Sequence, residues 1–523
     1  MLHLLLLLTA PVVAGCLARV IYNIYLHPLR GYPGPVLCRA TFLAWMLIQC
    51  RGESTNYIHA QHKRYGPVVR IEPNLLSYSD GQAWRDIYGH KTAVKSTAVG
   101  NLPKPPYAVR TNPNGYADIL NVPGDAGHRR MRKLMTHMFS AAALEGQQPL
   151  ICGYVDKLIA TLQARAGQPV DIGLWFACVL IFSFTSTVSP ANLSILLAVQ
   201  HLMSLVHLRA EHGACMADYE QHQPWVTNIF GSVKQSYLQR ILNRFPWPFN
   251  RLAYHIMVDE KLSKARKDEF SFAADRAKER LARGITMEKY DFMSYMLKYN
   301  DEKGMSEGEI ISNSSILIIA GGETSAVYLS GLIYHLLCKP QAMEKLTSII
   351  RSSFKSEEEI TFNALLEIEY LTAVIQEGGR TYAPIPSGLP RVATKGGSLI
   401  AGRHVPEGTV VYVHAMAANL SPANFANPND FVPERWLKQP PAEYVDDNHE
   451  ATQAFSLGPR GCIGKNLAMS ELRLILARVL WNFNINMCEE SRGWKESQKT
   501  YNVWDKKPLM VVLTPQAPWS NEK

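Results

Sequence analysis

A ten-residue segment near the carboxyl end, Phe455–Gly464, constrains this chain more than any other feature. Its sequence is Phe-Ser-Leu-Gly-Pro-Arg-Gly-Cys-Ile-Gly, so glycines flank Cys462 and Arg460 lies two residues before it. Glycine has no Cβ, which permits a tight turn with φ > 0 and a close approach to a flat group. An apolar helical pattern follows directly, and a helix N-terminus favours the thiolate form of a nearby cysteine. The segment therefore predicts a loop that presents a metal-binding sulfur rather than an inert buried thiol.

The composition fits one large domain. The chain has 523 residues, 47% apolar and 19% charged. A length of about 150 residues per domain would predict three domains, but no Gly/Ser-rich or Pro-rich linker interrupts the chain after its first few dozen residues. The net charge of +9 is spread without a long Lys/Arg run, which excludes a nucleic-acid footprint and fits a basic docking face. Nine scattered cysteines without a C-x-x-C pair indicate a reducing compartment.

The amino terminus predicts a membrane anchor. Residues Leu2–Leu17 are almost entirely apolar, slightly short of the roughly 20 residues that span a bilayer, but Arg19 can extend to the interface. The alternative is a cleaved signal peptide, since Ala14–Cys16 resembles a cleavage site. Basic residues follow the apolar run and none precedes it, which favours an anchor with a cytosolic domain. We assign residues 1–25 to the anchor and the Pro/Gly-rich residues 26–36 to a hinge.

The remainder, residues 37–523, reads as one domain with many helices and a small β portion. Pro67–Tyr78 predicts a hairpin, and residues 101–124 predict a long loop of the kind that forms a lid or binding wall. Most of Ala126–Ala383 has a helical pattern. Short strands are predicted near the carboxyl end, at Thr409–Val413 and Leu509–Leu513.

A long helix is predicted from a capping box at Ser306 to just before Pro340. Near its middle, Ala320–Ser325 reads Ala-Gly-Gly-Glu-Thr-Ser, and each glycine inside a helix costs about 1 kcal/mol relative to alanine. Close approach of another body or a kink would explain such a pair. Glu323 and Thr324 together could relay protons at an opening of this kind. The alternative is a helix crossing that uses small residues.

Two further charged patterns stand out. Glu377 and Arg380 lie one helical turn apart, within reach of an ion pair, although an ordinary surface pair would contribute little. Residues 128–133 read His-Arg-Arg-Met-Arg-Lys, either a solvated helix face or a site for an anionic group. Arginine suits the second role because its guanidinium binds carboxylates in bidentate fashion.

Taken in chain order, these motifs resemble those of the cytochrome P450 family. The loop around Cys462 matches the haem-binding pattern Phe-x-x-Gly-x-Arg-x-Cys-x-Gly at every fixed position: Phe455, Gly458, Arg460, Cys462 and Gly464. The resemblance implies a mainly α fold with a small β portion, the cytochrome P450 fold, preceded by one transmembrane helix. It also implies a haem b cofactor whose iron is bound by the Cys462 thiolate. His128, Arg132, Arg391 and Arg460 match the residues that hold the haem propionates.

The resemblance also implies roles for the acidic motifs. Glu323 and Thr324 correspond to the oxygen-activation pair that manages protons. Glu377, Arg380 and Arg435 correspond to a buried ionic network that braces the loop. Removing one member of such a network leaves a buried charge without its partner, so the three are expected to act together.

Residues 177–212 do not fit the fungal pattern of the family. We interpret them as an insertion or as translated intron sequence from a faulty gene model; sequencing the transcript distinguishes the two.

The function implied by the resemblance is a haem-thiolate monooxygenase on the endoplasmic reticulum membrane, single-pass with a cytosolic catalytic domain. Its electrons would come from NADPH through a cytochrome P450 reductase, with cytochrome b5 as a further candidate partner and no nucleic acid. The substrate would be a hydrophobic small molecule, similar to the terpenoid, polyketide or alkaloid intermediates that filamentous-fungal members oxidise. The alternatives are a haem-thiolate isomerase or dehydratase that uses no O₂, and a non-catalytic membrane haem protein.

Overall fold

The computed structural model describes residues 2–90, 101–188, 224–284, 291–300 and 304–516. Within these residues the helices are α1 (Leu2–Ile21), α2 (Val36–Ala40), α3 (Phe42–Cys50), α4 (Ser54–Tyr65), α5 (Gly81–Tyr88), α6 (Asp125–Thr136), α7 (Ala141–Ala164), α8 (Ile172–Val188), α9 (Pro224–Leu242), α10 (Phe249–Met257), α11 (Glu260–Ala282), α12 (Phe292–Lys298), α13 (Glu307–Leu337), α14 (Pro340–Ser353), α15 (Phe362–Leu366), α16 (Glu369–Thr381), α17 (Ala415–Asn419) and α18 (Lys465–Asn482). The strands are β1 (Val68–Glu72), β2 (Leu75–Tyr78), β3 (Pro169–Asp171), β4 (Arg391–Val392), β5 (Ser398–Ile400), β6 (Arg403–Val405), β7 (Val410–Val413), β8 (Phe483–Met487), β9 (Lys499–Tyr501), β10 (Val503–Asp505) and β11 (Met510–Pro515). The mainly α fold with a small β portion is therefore confirmed.

The β portion consists of small sheets at the edges of the helical body. One mixed sheet has the order β1-β2-β7-β4, in which β2 and β7 run parallel. The predicted hairpin is confirmed: Val68 pairs with Tyr78, and a bulge lies between Arg70 and Glu72. A second sheet has the order β3-β11-β8, and β5-β6 and β9-β10 form two-stranded ribbons. The segment before β4 lies close to α3, α4 and the loop 101–124.

The core is built around α13, which runs for 31 residues. Its predicted start is confirmed, because Ser306 and Glu309 form both hydrogen bonds of a capping box. Among the described residues this helix is the one long and apolar enough to span a membrane, yet 83% of its most apolar window is buried. Its apolar character therefore serves packing, as expected for a helix that is hydrophobic on all sides.

The glycine pair of α13 lies where α8 crosses it. A Cβ at Gly321 would overlap the ring of Phe184, and a Cβ at Gly322 would overlap the side chain of Ile181. The close approach of α8 offsets the low helix propensity of the two glycines. The helix-crossing alternative thus accounts for both glycines.

Helix α8 also contains the start of the doubtful insert. From Ala177 to Phe184 its apolar side chains are buried against the main core. The rest of the doubtful segment, residues 189–212, lies outside the described residues. The insertion and the gene-model error therefore both stay open as predictions.

The anchor segment folds as α1, and a π-helical turn at Tyr22–Leu26 continues it. The predicted hinge contains turns at residues 28–32 and no strand. Inside residues 101–124 the structure has loop conformation with one 3₁₀ turn at Pro106–Ala108, as predicted.

Candidate cofactor and active site

The loop that carries Cys462 is a tight turn leading into α18. Gly458 adopts φ +73°, and a Cβ there would overlap the backbone carbonyl of Tyr88, so only glycine fits. The amide of Cys462 returns to the carbonyl oxygen of Phe455 at 2.9 Å, which closes the loop. Helix α18 begins three residues after the cysteine, at Lys465. The local sequence thus fixes the sulfur at a helix N-terminus, as the pattern predicts.

The surroundings of Cys462 act on its pKa in opposite directions. The thiol keeps accessible surface, but the protein around it desolvates it, and this burial raises its pKa. A backbone hydrogen bond at Gly464 and the charges of Arg132 and Lys465 lower the pKa, by less in total. Coordination of a metal deprotonates a thiol outright, so a bound iron would supply the stabilisation that these groups do not.

Two other residues of the motif have packing roles. The ring of Phe455 stacks on Tyr328 of α13 with centroids 6.5 Å apart. A Cβ at Gly464 would lie 3.6 Å from the ring of Phe139, in ordinary van der Waals contact. The loop is therefore held between α13 and the segment that follows α6.

A cluster of basic side chains converges beside this loop. The structure brings together all four predicted propionate residues, and burial lowers the pKa of each: His128, Arg132, Arg391 and Arg460. For His128 and Arg391 a neighbouring cation lowers the pKa further. Burial and the cations of Arg460 and Arg132 lower the pKa of His128 to about 4. His128 is therefore neutral at pH 7 and can donate through a ring N–H.

Arg460 has an unused donor. Its Nη2 donates to the carbonyl oxygen of Gly124 at 2.6 Å and lies 3.4 Å from the carboxylate of Asp125. Its buried Nη1 has no hydrogen-bond partner among the described residues. Buried donors are nearly always paired, so this atom marks a place where a ligand acceptor fits.

Lys104 joins the same cluster, and sequence reasoning missed it. Its ammonium donates to the carbonyl oxygen of Leu120, and burial together with Arg391 and Arg460 lowers its pKa to about 7. The residue lies in the 101–124 loop as Pro-Lys-Pro, and nothing in that tripeptide signals an anion site. Only the folding of the loop toward β4 brings it there.

The orientation of Arg391 is set by Tyr88. The guanidinium lies over that ring at 5.1 Å, a cation–π contact. The phenol donates to the carbonyl oxygen of Leu389 at 2.8 Å and accepts from the amide of Val413 at 3.2 Å. These contacts fix the ring between α5 and β7 and so fix the arginine.

The cluster fits a ligand with two carboxylates. Among the described residues its cations have one ion-pair partner, Asp125 at 3.4 Å from Arg460, and like charges held together raise the energy of the fold. A dianionic group would relieve that repulsion and accept the unused hydrogen of Arg460. The two propionates of haem, with the Cys462 sulfur on the adjacent loop, satisfy both requirements.

The ionic network lies behind the loop and is fully buried. Arg380 binds both carboxylate oxygens of Glu377, at 2.8 and 2.7 Å, and Arg435 lies 3.3 Å from the same carboxylate. Arg435 also pairs with Asp447, and the indole of Trp436 donates to Glu377 at 2.8 Å. The surface-pair alternative is excluded, since the side chains of Glu377, Arg380 and Arg435 are 0% exposed.

Glu323 and Thr324 do not face an open relay in this structure. Glu323 pairs with Lys506, which follows β10, at 2.5 Å between Oε1 and Nζ. The hydroxyl of Thr324 donates to the carbonyl oxygen of Ala320, one turn earlier in the same helix. Sequence reasoning also missed Lys506, because its link to α13 spans more than 180 residues of chain.

Comparison with known proteins agrees with this arrangement. The family model described as "Cytochrome P450" matches residues 33–513. The chain is 39% identical over 503 residues to the cytochrome P450 monooxygenase aclL of Aspergillus oryzae, covering 95% of this chain and 96% of that protein. It is 36% identical to the cytochrome P450 monooxygenase efuB of Hormonema carpetanum, with 96% of each chain covered. It is also 36% identical to the fusicoccadiene 8-ol C-16-hydroxylase of Phomopsis amygdali, over 94% of this chain and 90% of that one.

Proposed function

This chain belongs to the cytochrome P450 family of haem-thiolate monooxygenases, and we propose that it oxidises a hydrophobic small molecule of fungal secondary metabolism with electrons from NADPH. The electrons arrive through a separate membrane-bound cytochrome P450 reductase. The observation that carries the proposal is the convergence of the Cys462 loop with the cluster formed by Lys104, His128, Arg132, Arg391 and Arg460.

Each side chain of the site has a task in this proposal. Cys462 binds the haem iron, and Arg132 lies close enough to act electrostatically on the sulfur. The basic cluster holds the propionates through charge-assisted hydrogen bonds. When bound, haem supplies the activation of O₂ and the transfer of one oxygen atom to the substrate. The protein contributes binding, orientation and electrostatics.

Proton handling is assigned to Glu323 and Thr324. Glu323 is 4% exposed, and Lys506 forms an ion pair with its Oε1. For Glu323 to take up a proton from solvent and pass it toward the Thr324 hydroxyl, this pair must open. Thr324 must also release the carbonyl of Ala320 before its hydroxyl can donate elsewhere. Both rearrangements are local side-chain rotations.

Exposed apolar side chains support the proposed endoplasmic reticulum anchor. Val12 and Leu17 in helix α1, and Leu26 in the turn that follows it, are 58–64% exposed. Helix α10 buries none of its residues, and Phe249 and Ile256 are 60% and 73% exposed. Apolar surface of this extent fits burial in a lipid interface.

The substrate class rests on similarity. The relatives named above are fungal monooxygenases, and one is named for hydroxylating a carbon of fusicoccadiene 8-ol. We propose a terpenoid, polyketide or alkaloid intermediate for this chain. Hydroxylation or epoxidation would then place a polar group on an otherwise apolar skeleton.

Expression of the full chain in yeast microsomes with a cytochrome P450 reductase tests the function. The reduced, CO-treated protein should show the red-shifted Soret maximum of thiolate-bound haem, and Cys462→Ser should lose it. Incubation with candidate substrates under ¹⁸O₂ should give products that contain ¹⁸O and depend on NADPH. Product without ¹⁸O would favour the isomerase or dehydratase. Haem binding without NADPH-dependent conversion of any compound tested would favour the non-catalytic membrane haem protein.

A further inference from the structure

A small cavity lies between the first sheet, helix α9 and the segment that precedes β4. It has a volume of about 90 Å³ and is lined by Leu75, Tyr107, Arg240, Leu389 and Tyr412, among others. Apolar and aromatic groups make up much of this wall, with few charges. Such walls with a few placed polar groups are typical of small-molecule sites. Pro390 also lines the cavity and directly precedes Arg391 of the basic cluster, so the cavity borders the candidate active site.

Two of the charges in this wall neutralise each other. Arg244 binds both carboxylate oxygens of Glu72, and Glu72 is 3% exposed. The bidentate geometry satisfies this pair. The third charged residue, Arg240, therefore gives the cavity wall a net positive charge.

Arg240 has no carboxylate partner among the described residues. Its Nη2 donates to the side-chain oxygen of Asn502 at 3.2 Å, and its guanidinium lies 5.5 Å from the ring centre of Tyr237. Burial lowers its pKa, and the groups that favour its charge are the phenols of Tyr237 and Tyr107. Its remaining N–H groups have no other hydrogen bond to a described residue.

A second arginine strengthens the positive potential. Arg110 donates a hydrogen bond to the hydroxyl of Ser236. Ser236 lies one turn before Arg240 on the same face of α9. Burial and the charges of Arg266 and Arg240 lower the pKa of Arg110 to about 9. Arg240 thus adds to the positive potential at Arg110, while the carboxylates of Asp118 and Glu269 act in the opposite direction. An anion between α9 and the 101–124 loop would stabilise both arginines.

We propose that Arg240 binds a carboxylate of the substrate, so that this enzyme acts on a hydrophobic carboxylic acid. The inference rests on the proposed function and narrows its substrate class. The protein desolvates this cation without giving it a carboxylate partner among the described residues, which is unfavourable, and the guanidinium fork matches a carboxylate. The cavity accommodates the acidic end of a molecule, and the apolar remainder would lie along the segment at Leu389 toward the active site.

The first test measures binding to the haem-loaded full chain. The probes are dodecanoic acid, 4-phenylbutanoic acid and 1-naphthoic acid, each paired with its primary alcohol. Dissociation constants come from equilibrium dialysis, and Soret shifts serve as a second readout. We compare the unsubstituted protein with Arg240→Gln and with the control Lys234→Gln. Lys234 lies on the same helix over the ring of Tyr501, 4.4 Å away, and its loss changes the net charge equally.

In the unsubstituted protein and in Lys234→Gln, at least one acid should bind at least about tenfold more tightly than its alcohol, a difference of about 1.4 kcal/mol in binding free energy. In Arg240→Gln that preference should fall below about twofold. Equal binding of acid and alcohol in every pair, or no measurable binding of any acid, overturns the assignment. So does an acid preference that survives Arg240→Gln.

A stability measurement distinguishes a binding residue from a structural one. If Arg240 is kept for a ligand, Arg240→Gln should leave the thermal midpoint of the haem-loaded protein unchanged or raise it, as is common where function and stability conflict. A lower midpoint with reduced haem content overturns the proposal. Neither measurement requires turnover, so failure of the acid assignment is distinct from failure of the monooxygenase function, which the ¹⁸O₂ experiment decides.

Discussion

Glu471 is a buried carboxyl group in the interface between α8 and α18, and its replacement by glutamine should stabilise the protein at neutral and alkaline pH. The residue is 1% exposed. The hydroxyl of Ser183 lies 3.5 Å from its Oε1, and its Oε2 has no hydrogen-bond partner among the described residues. Burial raises the pKa of Glu471 from 4.5 to about 8, because an apolar interior disfavours the charged form.

The sign of the pH dependence follows from that shift. Since the folded state holds the proton up to about pH 8 and the unfolded state releases it near 4.5, the folded state binds more protons between these values. Stability therefore falls as pH rises through this window. The linkage relation gives a penalty of about 1 kcal/mol at pH 5.5, about 3 at pH 7 and between about 4 and 5 at pH 8.5. Glutamine preserves the shape of the side chain and cannot ionise, so it avoids the penalty.

Thermal and urea unfolding of the haem-loaded protein at these three pH values measures the effect. Glu471→Gln should gain stability over the unsubstituted protein, and the gain should grow by about 3 kcal/mol from pH 5.5 to 8.5. The control is Glu279→Gln, in an exposed pair with Arg276, which should change stability by less than about 0.5 kcal/mol at every pH. A gain that is absent, or the same at all three pH values, refutes the argument that Glu471 is a neutral buried acid.

Three further outcomes are expected. Arg435→Met should destabilise the protein by about 3–5 kcal/mol in urea unfolding, because it removes one cation from the fully buried Glu377; a change under 1 kcal/mol contradicts this. Lys506→Met should lower the unfolding free energy by about 3 kcal/mol, because it leaves the Glu323 carboxylate without its ion-pair partner. Adding Glu323→Gln to the same chain should restore most of that loss, since both charges of the pair at 2.5 Å are then gone. Additive losses in the double-mutant cycle would disprove the coupling. Lys104→Met should speed haem transfer to apomyoglobin roughly tenfold, because the loss of one charged hydrogen bond weakens haem binding by about 1.5 kcal/mol. An unchanged transfer rate places the lysine outside the cofactor site.

Local patterns predicted what depends on neighbours in sequence. The capping box at Ser306, the hairpin at Pro67–Tyr78 and the turn before Cys462 were all predictable, because each is set by interactions within about ten residues. The spacing of Glu377 and Arg380 likewise predicted their ion pair. Their burial with Arg435 entered only through the resemblance to a known family.

Other parts of the site could not be read from the chain. The glycines of α13 were compatible with an opening or with a crossing, and only the tertiary structure shows that Phe184 of α8 packs against Gly321. Lys104 and Lys506 each lie in a segment without a recognisable motif. Their partners are distant in sequence, and a contact of that kind depends on the packing of whole elements.

By itself, the sequence determined the tight turn at Cys462, the main helices and the family, since those depend on residue type at fixed spacing. Tertiary structure alone decided which charges are paired and which are not. Lys506 neutralises Glu323, whereas Arg240 is enclosed without a carboxylate among the described residues. The physical reason is that the energy of a charge depends on its solvation and on the atoms within a few ångströms, and folding sets both through contacts between distant parts of the chain.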